Sequence, residues 1–355
     1  MASRSVPDAR LRSHRLTAPA QSVADAARHM LAVQSQEFRG GRWALGVRTR
    51  GAPTVRDVDA AFDRGEIVRS WTMRGTIHIV PARDLGWMLP ITGERQFRGL
   101  ASAHRREGLA GDDFARAEKI TRAALRGGGR LTRDELFAVL DGGRVGTAGQ
   151  RGYHLLVALS LRGVVCQGPV ARRDDGTARE QHIVLAEEWV RDAVTPADPH
   201  AELFARYIVG HGPAGVGDFA WWSGLPLGTA RRAAEAAATR LTVTGDGDDA
   251  RYTAAPPRPR RSPRPPGVIA LPPFDEYYLS YADRSAVCAP ELLDRVGPSK
   301  NGMVAAVLIA SGQVVGRWTH AVAVRREVPE LFRPEAAHAD DVTAALERYR
   351  TFTGA

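Results

Sequence analysis

A chain of 355 residues with 44% hydrophobic residues can bury a sizeable core and hold two or three modules, which excludes a disordered tail. Its net charge of +9 and pI near 10.2 favour a polyanionic partner, nucleic acid first, although only Lys119 and Lys300 are lysines and such an arginine bias also follows from GC-rich coding. Two cysteines, Cys166 and Cys288, argue against a disulfide framework or a cysteine-rich zinc site; no apolar run reaches membrane length and no apolar stretch follows the basic N-terminus, so a cytoplasmic protein with no metal and no cofactor is expected.

Residues 1–15, with Arg4, Arg10, Arg12 and Arg15, read as a frayed basic arm suited to touching phosphate. From Ser22, a plausible N-cap, Val23, Ala26, Ala27, Met30 and Leu31 recur at helical spacing. Two amides follow, Gln34 and Gln36. On a continuous helix residues i and i+2 point about 200° apart, so the pair can serve one site only where the backbone leaves the helix. Gly40-Gly41 is consistent with that exit. The bland alternative is that both glutamines cap or solvate a helix end.

A second helix is expected from Thr54, with Val55, Val58, Ala61 and Phe62 on one face. The period then changes to two, and Ile67–Met73 and Thr76–Val80 read as strands joined at Arg74-Gly75. This helix, helix, two-stranded wing pattern returns. Asp112–Arg126, a helix opened by Thr132 with a capping box to Glu135, and Tyr153–Leu161 precede strands Val164–Val170 and Gln181–Leu185. The tip between those strands, Arg172-Arg173-Asp174-Asp175-Gly176, is either a solvated hairpin or a wing that enters a DNA groove.

A third round begins at Pro199: helices over Ala201–Val209, Val216–Trp222 and Thr229–Arg240, leading into Leu241–Thr244. Trp221 and Trp222 read as core rather than as DNA-stacking residues. Pro256–Pro266, with six prolines and four arginines, reads as an extended basic loop. Strands over Val268–Leu271, Met303–Ile309 and Val314–Trp318 and a closing helix from Pro334 to Tyr349 complete the chain.

Other chemistries find little support. Asp275, Glu276 and Asp283 beside Arg284 suggest a hydrolase or Mg²⁺ site, but the same residues with Phe274, Tyr277, Tyr278 and Tyr281 read as a packed corner holding a local Asp283–Arg284 pair. The ten histidines show no zinc-ligand spacing, and neither a phosphate-binding glycine loop nor a Gly-x-Ser-x-Gly elbow is present.

Four stretches then appear in one order: Gln34-Ser35-Gln36, Arg69–His78 (RSWTMRGTIH), Gly212–Gly224 (GPAGVGDFAWWSG) and Leu271–Tyr277 (LPPFDEY). Together they resemble the AlkZ and YcaQ family of DNA glycosylases, over about Leu16 to Phe352. The resemblance implies an α+β fold of three tandem winged-helix modules around a basic concave cleft, with an added C-terminal strand pair and helix. The modules would span residues 16–92, 93–190 and 196–355. It also implies catalysis by a Gln-aliphatic-Gln motif (AlkZ type) or a Gln-aliphatic-Asp motif (YcaQ type). Gln34 and Gln36 match the AlkZ type; Ser35 departs from it. Glu37 is an alternative base without that role in the family. The expected substrate is double-stranded DNA carrying N7-alkylated guanine, including bulky adducts or interstrand crosslinks of natural products in self-resistance. Arg39, Arg69, Arg74, Arg172 and Arg173 are the expected DNA contacts, and a monomer suffices. The rivals are a winged-helix transcription regulator and a protein-binding scaffold, since fold does not decide function.

Overall fold

The computed structural model describes residues 6–173, 176, 178–254, 267–321 and 326–354, in which helices and strands mix as an α+β architecture. By internal contacts the chain forms two units: Met1–Val58 with His200–Ala355, and Asp59–Pro199.

The first unit opens with α1 (Val6–Ser13), α2 (Val23–Met30), a two-residue strand β1 (Val33–Gln34) and α3 (Phe38–Gly46). Over Val6–Ser13, α1 corrects the expectation of a frayed arm; residues 1–5, with Arg4, lie outside the described residues. Leu11 is buried in the unit's core, and the Arg10 guanidinium lies 3.5 Å from the centre of the Tyr281 ring while its Nε donates to the Pro213 carbonyl at 3.2 Å. An arginine desolvated against an aromatic face packs the fold instead of reaching for phosphate. Ser22 caps α2 as expected, its Oγ accepting the Asp25 N–H at 3.1 Å.

α4 (Val55–Asp63) leads into the second unit, where β2 (Ile67–Met73) and β3 (Thr76–Pro81) form the first hairpin. Arg74 and Gly75 at its tip have φ of 54° and 70°. Two consecutive left-handed residues make the tight turn whose twist matches paired strands, and only the glycine adopts it without steric cost. Next come α5 (Leu85–Gly99), α6 (Ala101–Arg106), α7 (Gly111–Leu125), α8 (Arg133–Gly142) and α9 (Arg151–Leu161). The second hairpin, β4 (Val165–Arg172) with β5 (Ala178–Leu185), and the short α10 (Ala186–Trp189) close the unit. α8 begins with the expected capping box, Thr132 and Glu135 each bonding the other's backbone N–H. The hairpins join in the order β3-β2-β4-β5, with Arg69 opposite Gln167. Trp71 and Ile77 of the first hairpin share a core with Phe114, Leu136, Leu155 and Ile183.

α11 (Pro199–His211) returns the chain to the first unit and is followed by α12 (Val216–Ser223) and α13 (Leu227–Ala237). A small hairpin follows, β6 (Leu241–Thr244) with β7 (Arg251–Ala254). Then come β8 (Ile269–Leu271), α14 (Glu276–Leu279), α15 (Leu293–Val296), β9 (Ala306–Ala310), β10 (Gln313–Ala321), β11 (Arg326–Leu331) and α16 (Ala339–Thr353). The expected C-terminal strand pair is part of a four-stranded sheet, β11-β10-β9-β8. Of the tryptophan pair, Trp222 is fully buried as expected, whereas Trp221 is 42% exposed, with its indole N–H donating to the Leu279 carbonyl at 2.9 Å. The proline-arginine loop 256–266 and Asp174 and Asp175 of the second hairpin tip lie outside the described residues.

Two histidines in this unit are held neutral. Burial, then His211, Arg48 and Arg10, drives His14 well below its usual value; burial and Arg15 lower His29 to about 4. His14 Nε2 donates to the Tyr281 hydroxyl at 2.7 Å and His29 Nε2 to the Ser13 carbonyl at 2.6 Å, so each bond is made by the neutral ring. An unfolded chain protonates both near pH 6.5, as ordinary histidines do, so between there and about pH 4 it binds more protons than the folded chain, and stability must fall on acidification. Urea midpoints measured from pH 7.5 down to 4.5 should decline across this window, and His29→Gln, which keeps a donor but does not titrate, should flatten part of the decline. An identical pH slope in the variant would exclude His29 as a source.

Candidate active site

The path of the backbone through the glutamine pair is set at Leu31. α2 ends at Met30, and Leu31, fully buried, takes φ 64° and ψ −49° while the Ala32 N–H bonds back to the Met30 carbonyl at 2.8 Å. That is a γ-turn of the positive-φ kind, a strained conformation for a residue with a side chain. It turns the chain out of the helix in one step, so Gln34 sits on extended backbone. The exit expected at Gly40-Gly41 is therefore misplaced, because both glycines lie inside α3. Gly40 is needed for a different reason: a Cβ there would come within 2.9 Å of Glu37 Oε2 and 3.3 Å of Pro272 Cβ.

Gln34 and Ser35 are buried, while Gln36 and Glu37 are exposed. The pair thus straddles the point where the chain emerges from the interior. Glu37, weighed as a base, is the N-cap of α3: its carboxylate accepts the Arg39 N–H at 2.8 Å and the Gly40 N–H. A carboxylate at a helix N-terminus is favoured by the exposed N–H groups and the dipole, which accounts for Glu37 structurally.

The segment Leu271–Tyr277 supports this corner. Gln34 donates its backbone N–H to Glu276 Oε1 at 2.8 Å, and Glu276 Oε2 accepts the Trp222 indole N–H at 2.9 Å and the Ser280 hydroxyl. His211 Nε2 lies 3.4 Å away. Next to it, Asp275 takes both arms of Arg48 at 2.9 and 2.7 Å, with both side chains buried. The Trp43 indole donates to the Ala270 carbonyl at 2.9 Å. The acidic group is accordingly a structural one: Asp275 and Glu276 are saturated with donors, and Asp283 caps the Ser285 N–H and hydroxyl at 2.8 and 2.9 Å rather than pairing with Arg284. The Arg284 guanidinium lies 5.1 Å from the Trp221 ring centre and 5.4 Å from that of Tyr278. Among the described residues no group of three or more His, Cys, Asp or Glu is placed to hold a metal ion, and no helix is long and apolar enough to cross a membrane.

The arginines expected at DNA differ in what already holds them. Arg39 is half-buried at the start of α3, 5.3 Å from the Tyr349 ring centre. Arg69 donates to Gln167 Oε1 at 2.6 Å within the sheet, and Arg74 occupies the first hairpin's tip. Arg172 is bound to Asp63 at 2.7 Å and lies 3.9 Å from Asp59, while Arg173 beside it is exposed. In the Arg69–His78 stretch, His78 is buried and its Nδ1 is 2.9 Å from the Thr72 hydroxyl. Glu276 and Trp222 were visible in the sequence as parts of motifs, but a contact between residues 34 and 276 leaves no local signal.

The family model described as DNA glycosylase AlkZ-like matches residues 27–352. The chain is 24% identical over 318 residues, 84% of its length and 82% of the other's, to an interstrand DNA cross-link repair glycosylase of Streptomyces sahachiroi. The structure of the S. sahachiroi DNA glycosylase AlkZ superposes with a TM-score of 0.77 at 21% identity, covering 99% of this chain and 97% of that one. With a family match over most of its length and the same fold throughout, the chain belongs to the AlkZ-like DNA glycosylase family.

Proposed function

We propose that this glycosylase hydrolyses the N-glycosidic bond of N7-alkylated guanine in double-stranded DNA, including bulky adducts or interstrand crosslinks of genotoxic natural products, and so serves DNA repair and self-resistance. The observation that carries the reading is the Gln34/Gln36 pair, within the matched family region, with Gln34 buried on the strand β1 and Gln36 exposed just beyond it. Glutamine does not titrate and cannot serve as a general base. The substrate makes one unnecessary. Alkylation at N7 leaves the purine positively charged, so when the C1′–N9 bond breaks its electron pair neutralises the leaving base. What remains is an oxocarbenium-like sugar, which water attacks at C1′, releasing its proton to solvent. Two preorganised amide oxygens hold that water and stabilise the cationic sugar by their dipoles.

In this reading the helix and hairpin sets over residues 16–92, 93–190 and 196–355 act as three winged-helix modules, and the protein works on duplex DNA as a monomer. Arg39, Arg69, Arg74, Arg172 and Arg173 supply phosphate contacts, which position the duplex without reading its sequence. Arg173 and Arg172 enter unequally, because Arg172 must leave or share the carboxylates of Asp63 and Asp59.

Gln34→Ala and Gln36→Ala should each lower single-turnover release of N7-methylguanine by roughly 10² to 10³, with duplex affinity little changed. Gln36→Asp, which creates the Gln-x-Asp pattern, should keep part of the activity. Folded alanine variants with wild-type rates would remove the pair from the site. Duplex affinity should fall steeply with salt, and Arg173→Ala should lower the slope of log K against log salt by about one, the value for a single phosphate contact. Arg172→Ala should weaken binding less and cost up to ~1 kcal/mol of stability; a salt-independent affinity in the wild type would end the DNA reading.

A further inference from the structure

Three of the four stretches that carry the family resemblance converge on one buried carboxylate. Glu276 is fully buried, and each of its oxygens is met by donors: the Gln34 backbone N–H on Oε1, the Trp222 indole N–H and the Ser280 hydroxyl on Oε2. Burying a charge is unfavourable unless hydrogen bonds replace its water, and an apolar side chain of similar size would fill the space without that cost. The arrangement demands an acceptor on both sides. An amide in the same place would turn its NH₂ toward a donor whichever way it flipped.

We infer that Glu276 is a positioning residue for the glutamine pair. It acts through Gln34 and does not touch substrate. Its bond fixes the peptide plane that enters Gln34, three residues past the strained turn at Leu31 and three before the Glu37 cap on α3. A strained turn persists only where its surroundings over-determine it. The Glu276 bond ties the chain on the far side of that turn, and the cap ties it beyond Gln36. Between these ties the two amides have little freedom to leave the geometry that reaction needs.

The inference rests on the glycosylase reading, and two readouts keep the fates of the two apart. The first is single-turnover base release from an N7-methylguanine duplex, with duplex affinity measured alongside. Glu276→Gln should lose about 10- to 100-fold in rate with affinity within about twofold. Glu276→Asp, which keeps the charge but draws it back by one methylene, should lose less. In the Gln34→Ala background the Glu276→Gln loss should largely vanish, since it acts through the missing side chain. Trp43→Phe, which removes a buried hydrogen bond between the neighbouring elements α3 and β8 without touching Glu276, should lower the melting temperature and leave the rate within about twofold. The second readout is hydrogen exchange at the Gln34 amide, which should speed up in both Glu276 variants and not in Trp43→Phe. A folded Glu276 variant with wild-type rate, or a loss that adds fully to Gln34→Ala, would overturn the inference. Wild-type protein that frees no base would overturn the glycosylase reading instead, and unchanged exchange at Gln34 would still count against Glu276 as its anchor.

Discussion

The hydrogen bond between the Gln34 backbone and the Glu276 carboxylate, closed off from water, is the constraint on which the first unit's architecture turns. An isolated buried carboxylate is penalised by several kcal/mol, and removing one partner from such a set leaves an unsatisfied group costing about 1–3 kcal/mol. Elements far apart in sequence must therefore arrive together. α12 brings Trp222, α14 brings Glu276 itself and Ser280 just beyond it, α11 brings His211, and the turn after α2 brings Gln34. The Arg48–Asp275 bridge beside it imposes the same condition on the next residue pair, since neither charge is tolerable there alone. The result is a polar seam inside an otherwise apolar core. Such a seam admits few alternative packings, because each would strand a donor or an acceptor.

How much of this was legible depends on the range of the interaction that decides it. The Ser22 cap, the Thr132–Glu135 box and the Arg74-Gly75 turn are settled within four residues, and the structure has them where the sequence places them. α1 was not legible: its arginines look like a solvated arm until Tyr281 supplies a face for Arg10. Gly40-Gly41 misled for a related reason. Glycine usually marks an exit, but Gly40 serves here because a proline pair from residues 272 and 273 comes within van der Waals reach of the helix. The true exit at Leu31 carries no sequence mark, since leucine disfavours positive φ and adopts it only under tertiary constraint. At the candidate site the glutamine pair is a proposal that comes from the family resemblance. The carboxylate behind them looked like a competing catalytic group, because only the fold reveals which donors have already claimed it.

If the site is the proposed pair of amides, its rigidity must come from the backbone. A catalytic carboxylate or imidazole can add the transfer of a proton to its electrostatic effect. An amide oxygen offers only a fixed dipole, whose contribution depends on where it points when charge develops. Freedom at Gln34 or Gln36 would be spent reorienting that dipole during the reaction, as water must. The strained turn before the pair, the buried hydrogen bond at Gln34 and the carboxylate cap after Gln36 remove that freedom in advance, and all three act on the main chain within seven residues of sequence, from Leu31 to Glu37. In that reading the side chains remain simple while the backbone carries the preorganisation, and a larger residue at Ser35, buried between the two glutamines, would press on a close-packed interior and shift the backbone of both.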